Sequence, residues 1–596
     1  MTETVAAIVA AHRAGILSPA QTVARSYLRI RNSNDPAVFI SLRDEKESIA
    51  EADSLQPRDA KDLPLFGVPV AVKDNIDVLG MPTTAGCPAF SYRPSHDATS
   101  VARLRRAGAI IIGKTNLDQF ATGLVGVRSP YGIPNNPIRP DLIPGGSSSG
   151  SAVAVASGFV PLSLGTDTAG SGRLPALLNN IVGLKPSLGM VSTAGVAPAC
   201  RTLDCVSVFS LTVDDAVSAL AAIAGPDGAD PFSRDRPLGQ LTPLPTELRL
   251  GVPCNGQLIF FGDKASEAAY AEALKRWSAL GAEFVEFDME PFYETAQLLY
   301  EGPWIAERFL VIRNLLASAP DSIHPVTREV IAPGSRLTAT ETFSALYRLQ
   351  GLRKFAERVF ATINAIVLPT APTVYTTKQV LANPIELNSR LGTYTNFVNL
   401  LDLCGLALPA SMRPDGIPFG ITLLAPAGHD ALLASIGRIF HADTKLTVGA
   451  RGVTQPPLAP LPAPTGDDLT VAVVGAHMSG MALNGELRTL GGRLIEAAVT
   501  APDYKLYALP TTPPKPGMLR VEAGQGRAIE IEIWGLSPAA FGRFVAAIPP
   551  PLSIGTIRLA DGRNVQGFLV EAAGLCGARD ISAFGGWRAY LAEAAV

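Results

Sequence analysis

Three short segments hold the residues most able to do chemistry in this chain of 596 residues. Residues 69–77 read PVAVKDNID, so Lys73 closes an apolar run. Taken alone, such a lysine is a surface residue at a strand end. Residues 144–151 read PGGSSSGS and run into AVAVA. A turn into a helix is the plain reading and a phosphate loop the functional one. A Walker loop needs GxxxxGK[ST], and the missing lysine argues against nucleotide binding. Residues 165–173 read GTDTAGSGR, a strand that ends in a glycine-lined loop able to expose Ser171. That too, in isolation, is simply a turn.

A serine hydroxyl attacks well only when a base removes its proton during attack. No histidine lies near Ser171 in sequence, and the six histidines mark no Ser-His-Asp set. A lysine serves as the base only when neutral, which requires lowering its ordinary pKa of about 10.4 by about three units through burial. The end of a Val-rich strand is a place where that happens. Asp74 and Asp77 would oppose it if they faced Lys73.

Taken together with VGLKP at residues 182–186, these segments closely resemble the amidase signature family of amide hydrolases, over most of residues 1–450. The resemblance implies Ser171 as nucleophile, Ser147 as a bridging serine after a cis peptide bond to Gly146, and Lys73 as the ultimate base. Ser147 follows Lys73 by 74 residues and precedes Ser171 by 24, spacings like those of the family. Ser147 would relay the proton to Lys73 and later protonate the leaving amine. The backbone N–H groups of Thr168, Ala169, Gly170 and Ser171 would form an oxyanion hole, worth about 3–4 kcal/mol per donor. Arg173 is expected to pair with Asp167 and brace the turn.

The family usually has GGS where this chain has Ala169-Gly170-Ser171, and a CG pair where it has Asn179-Asn180. Both departures resemble the branch that hydrolyses allophanate. That branch keeps a tyrosine and an arginine for the substrate carboxylate, which correspond to Tyr300 and Arg308 in LLYEGPWIAERF. A guanidinium fork matches a carboxylate bidentately. The alternative is a surface Arg308 paired with Glu307 or Glu301. Gly123, after NLDQFAT, is a further candidate for backbone contact with the substrate amide. Residues 470–484, TVAVVGAHMSGMALN, resemble the second domain of the same branch, related to the γ-glutamylcyclotransferase-like fold. There His477 falls where some relatives use a histidine to promote decarboxylation of the first product. A lone histidine after a strand is also commonly structural.

These side chains need a scaffold, and the chain is too long for one hydrophobic core. Apolar residues make up 47% and charged residues 17%, the balance of a folded protein. Residues 453–466, VTQPPLAPLPAPTG, contain five prolines and read as an extended spacer. The expected organisation is a catalytic domain at 1–452, this linker, and a smaller domain at 467–596. In the first, Ser18 reads as an N-cap with Pro19 at the first helical position. Strand-like runs at 68–72, 109–112, 161–164, 248–252, 283–287 and 365–368 alternate with helical patterns. That rhythm predicts an α/β fold, a mixed sheet core flanked by helices. The alternating AIEIEIWGL at 528–536 predicts a strand with one polar face in a small α+β or barrel-like second domain.

A net charge of -3 argues against nucleic acid as a partner. Mean hydropathy is +0.23, yet the longest uncharged stretch, 142–166, is crowded with Gly and Ser and predicts no membrane span. No secretory signal peptide is expected. Six cysteines without a CxxC fit a reducing cytoplasm, and no metal-ligand spacing or cofactor motif occurs. The combined reading is an allophanate-hydrolysing homodimer whose substrate comes from a separate biotin-dependent urea carboxylase. The competing readings are a broader small-amide amidase, the A-type subunit of a tRNA-dependent amidotransferase, and an inactive amidase-fold scaffold.

Overall fold

The computed structural model describes residues 3–56, 61–245, 247–461, 468–511 and 514–594. It divides into two compact units: Met1–Arg236 with Leu250–Ala459, and Pro237–Arg249 with Pro460–Val596. The division after Ala459 falls inside the proline-rich seam, of which residues 462–466 lie outside the described residues. The grouping of Pro237–Arg249 with the second unit departs from a simple cut at 453, and nothing in that segment's composition announces it.

An 11-stranded mixed sheet forms the centre of the first unit. Its strands are β1 (Phe39–Leu42), β2 (Pro69–Lys73), β3 (Ile110–Thr115), β4 (Leu162–Asp167), β5 (Val182–Lys185), β6 (Cys205–Ser210), β7 (Leu248–Pro253), β8 (Ala282–Phe287), β9 (Ala365–Pro369), β10 (Leu403–Met412) and β11 (Pro418–Pro426). Their spatial order is β1-β3-β2-β4-β6-β5-β10-β11-β9-β7-β8. β2 lies parallel to both β3 and β4, with Val72 opposite Leu164, so Lys73 and Asp167 end neighbouring strands at the same edge of the sheet. Every residue of β2, β3, β4 and β6 is buried. Burial on both faces is that of a sheet covered by helices, and it holds even though β4 (LSLGTD) and β6 (CVSVFS) carry serines.

Local chemistry sets the helix ends. Ser18 accepts from the amide of Gln21 while the Gln21 side chain accepts from the amide of Ser18, a reciprocal cap with Pro19 at the first turn. The segment after PGGS forms the helix Ser149–Ala156, buried along its whole length. Its small side chains let it pack against Val23, Tyr27, Val38 and Phe159. No described helix is long and apolar enough to cross a membrane.

The second unit holds a five-stranded and a three-stranded sheet around a core that includes Trp534, Tyr504, Ile531 and Phe544. Its strand Glu530–Leu536 is buried from Ile531 onward, so the polar face expected from the alternation is not a solvent face. Glu532 is fully buried instead. Its carboxylate accepts from the Ser479 amide at 2.7 Å, the Trp534 indole at 3.1 Å and the Arg588 guanidinium at 2.8 Å. A buried acid is tolerated when its lone pairs are matched in this way.

Candidate active site

Lys73 is fully buried, and its Nζ donates to Ser147 Oγ and to Thr166 Oγ1, both at 2.7 Å. Burial pushes its pKa down to about 7, against the opposing pull of Asp118, Asp204 and Asp167; Arg308 adds to the lowering. Asp74 and Asp77 are committed elsewhere. Asp74 lies 3.3 Å from Lys114 Nζ and accepts from the amide and hydroxyl of Thr84. Asp77 accepts from Thr83 Oγ1 at 2.7 Å and from the Tyr92 hydroxyl at 2.8 Å.

The peptide bond between Gly146 and Ser147 is cis. Around it, the Gly146 amide donates to Leu124 O at 2.9 Å and the Asp118 amide donates to Ser147 O at 3.1 Å. The Asp118 carboxylate accepts from the amides of Gly126 at 2.8 Å and Arg128 at 2.9 Å. A Cβ on Gly146 would lie 2.1 Å from Asp118 Oδ2, so only glycine fits there. Asn179 holds the same loop from behind, donating to Pro144 O and Pro175 O at 2.8 Å each.

Ser171 is buried in the loop that follows β4. Asp167 organises this loop. Its carboxylate accepts from the Gly170 amide at 2.8 Å, the Gly172 amide at 3.0 Å, and Arg173 Nε and Nη2 at 2.8 and 3.0 Å. Burial pushes the Asp167 carboxyl up, but Arg173, Lys185 and the Gly170 amide outweigh it, and the net position is below the usual carboxylate range. The Gly170 N–H is thereby spent on Asp167, which corrects its place among the expected oxyanion donors. The amides of Thr168, Ala169 and Ser171 make no hydrogen bond among the described residues. A Cβ on Gly172 would lie 2.6 Å from the Ser207 side chain.

Tyr300 and Arg308 come from consecutive helices, Glu290–Glu301 and Trp304–Ser318. The guanidinium sits 5.6 Å over the Tyr300 ring, and its Nη1 donates to Thr122 Oγ1 at 3.1 Å. Arg308 is only 1% exposed, and its Nε has no partner among the described residues. The surface pairing with Glu307 or Glu301 does not form. Glu307 accepts instead from the Thr202 amide and hydroxyl, both at 2.7 Å. Gly123 adjoins Thr122, and a Cβ there would lie 2.7 Å from Asp118 Oδ2, so its loop, Arg308 and the Ser147 segment converge on one region.

His477 belongs to the second unit and lines a separate, largely apolar cavity of about 590 Å³. Its Nε2 is 3.0 Å from Glu486 Oε2, and its ring stacks 5.4 Å from Phe568. Burial lowers its pKa, partly offset by Glu486. Among the described residues, no group of three or more His, Cys, Asp or Glu is arranged to hold a metal ion.

The amidase family model matches residues 21–434. The chain belongs to the amidase family. A model described as the allophanate hydrolase C-terminal domain matches residues 469–592. The amidase-family chain is 42% identical over 579 residues to a urea amidolyase of Lachancea kluyveri, covering 94% of this chain and 31% of that one. It thus spans about a third of the length of that relative. The A-type subunit of the glutamyl-tRNA(Gln) amidotransferase of Thermus thermophilus is 32% identical over 459 residues, covering 72% of this chain and 95% of that one. Among solved structures, an allophanate hydrolase of Kluyveromyces lactis superposes with a TM-score of 0.77 at 39% identity, covering 99% of each chain.

The scattered acids of the site, Asp118 and Asp204, carry no signal of their own in the sequence. Asp118 sits in NLDQFAT, just ahead of Gly123, and its nest of amides is formed by a chain reversal with no motif. The glycines at 123, 126 and 146, each closed off by an Asp118 oxygen or a nearby backbone atom, are the only trace of it.

Proposed function

We propose that this protein hydrolyses allophanate, releasing ammonia and N-carboxycarbamate, through Lys73, Ser147 and Ser171. The reading is carried by one observation: a buried guanidinium, Arg308, with no acid partner, stands beside an aromatic ring in the same neighbourhood as a buried amine whose pKa is about 7. Asp204 feels the charge of Arg308, but a buried guanidinium that makes no ion pair and keeps an unbonded Nε among the described residues is a receptor for an anion. A neutral lysine supplies the base. The likeness of both matched regions to allophanate hydrolases supports the same choice.

In this mechanism a neutral Lys73 keeps a lone pair for the Ser147 proton, and Ser147 takes the proton of Ser171 as Ser171 Oγ attacks the terminal urea-type carbonyl. The amides of Ala169 and Ser171 face the developing oxyanion. Ser147 protonates the leaving ammonia, and water then releases the acyl group by the reverse relay. N-carboxycarbamate decays to a second ammonia and carbon dioxide, giving two of each overall. His477, held by Glu486, promotes that loss of carbon dioxide in the second unit's cavity. A biotin-dependent urea carboxylase supplies the substrate.

Ammonia and carbon dioxide release from allophanate, measured together, test this reading. Ser171→Ala abolishes both, and His477→Ala slows release of carbon dioxide and the second ammonia while leaving the first ammonia unchanged. Ammonia release that is indifferent to Ser171→Ala removes the nucleophile assignment, and activity that requires glutamine favours the amidotransferase reading instead.

A further inference from the structure

Between the nucleophile loop and the Arg308 helix lies a third segment, residues 199–204, bonded to both. Asp204, just before β6, is buried; its Oδ1 accepts from Thr168 Oγ1 at 2.5 Å and its Oδ2 from the Ala199 amide at 2.8 Å, with the Cys200 amide at 3.1 Å from each oxygen. Asn399 joins the same two loops a second time, its Nδ2 donating to Asp167 O and Leu203 O at 2.8 Å. On the far side, Glu307 accepts from the Thr202 amide and hydroxyl at 2.7 Å and from the Cys200 thiol at 2.9 Å. Glu307 immediately precedes Arg308.

Oxyanion donors act by being held in place before charge develops. Asp167 holds this loop through the Gly170 and Gly172 amides, and since Ala169 and Gly170 have no side chain that reaches a polar partner, Thr168 supplies a second anchor by its side chain. Its hydroxyl points to Asp204, which leaves its amide and those of Ala169 and Ser171 to the substrate. We propose that Asp204 is a positioning residue for hydrolysis: its carboxylate fixes Thr168 and the amides that follow, while Glu307 ties the same segment to the helix bearing the substrate's carboxylate anchor. The arrangement rests on the reading of Ser171 as nucleophile toward an anionic amide. It makes recognition at Arg308 and geometry at Ser171 parts of one braced unit. Asp204 acts electrostatically as well, since Lys73 is faced by Asp118, Asp204, Asp167 and Arg308.

The test uses the full chain, with kcat, KM and pH profiles on allophanate and on the neutral amide malonamide. Asp204→Asn lowers kcat about 10²-fold on both substrates with KM little changed. Its acid limb moves to lower pH, because Lys73 loses one neighbouring anion. Thr168→Val lowers kcat without moving the limb, and Thr168→Ser restores it. Glu307→Ala raises KM for allophanate more than for malonamide. Unchanged kcat in both Asp204→Asn and Thr168→Val overturns the proposal, as does a Thr168→Ser enzyme no better than Thr168→Val. If Asp204→Asn does not fold, the two Thr168 variants decide alone. An unsubstituted enzyme that spares allophanate but cleaves malonamide defeats the substrate reading, and the malonamide measurements still judge the brace.

Discussion

The proton affinity of Lys73 makes the sharpest prediction. An exposed lysine with a pKa of 10.5 would be neutral in about three molecules per ten thousand at pH 7, whereas one held at about 7 is neutral in about half of them. Burial therefore multiplies the available base roughly a thousandfold. If attack by Ser171 requires neutral Lys73, kcat/KM falls about tenfold from pH 8 to pH 6, with its midpoint near 7. The sign is fixed by the group: protonation removes the base, so the loss is on the acid side. Initial rates of ammonia release from a neutral amide, which has no titrating group of its own, isolate this limb. Lys73→Arg sharpens the test. It keeps the positive charge and the hydrogen-bond donors, but a guanidinium does not give up its proton in a protein, so the variant is inactive at every pH. A profile that is flat from pH 5.5 to 8.5, or an active Lys73→Arg enzyme, would refute the reasoning.

Other consequences are open to measurement. Arg308→Ala raises KM for allophanate by about tenfold or more, the worth of one charge-assisted contact, and barely changes KM for malonamide; equal effects remove the carboxylate contact. Arg173→Met leaves the Asp167 carboxylate buried without its cation, and denaturant titration shows a loss of about 3–5 kcal/mol. An unchanged midpoint rejects that account. Burial lowers the His441 pKa from 6.5 to about 4, so the unfolded chain takes up a proton first as the pH falls. Stability from this group is full above pH 6.5 and drops by about 3 kcal/mol by pH 4. His441→Leu lacks that component of the pH dependence, and an identical dependence in the variant denies the group a role.

The segments that carry Lys73, Ser147 and Ser171 are legible in the sequence because each is a local pattern: an apolar run that ends in Lys73, and dense clusters of Gly and Ser, one leading into a helix at Ser147 and one following a strand at Ser171. The sheet edge where β2 and β4 finish follows from two of those patterns. What the sequence hides arises from pairing between distant residues. β10 contains Gly405 and Pro409, which argue against a central strand, yet it sits between β5 and β11; the pairing register shifts between Pro409 and Ser411, where the proline is accommodated. β5 is four residues long and too short to show a period. The loss of the Gly170 amide to Asp167 depends on the direction of one carboxylate, which no spacing encodes. Asp204 is separated from Thr168 by 36 residues, and only the fold makes them partners.

The packed glycines of the Ser147 and Ser171 loops have an evolutionary corollary. At Gly146 and Gly172 even a methyl group collides with fixed neighbours, so that wall admits almost no drift. A descendant adapting to a bulkier or uncharged amide has to change residues elsewhere, Tyr300 and Arg308 among them, while keeping Glu307, which ties their region to the segment at Cys200 and Thr202. On the proposed reading, selectivity and reactivity are inherited on separate stretches of chain, one nearly frozen and the other open to innovation only where the tie through Glu307 survives.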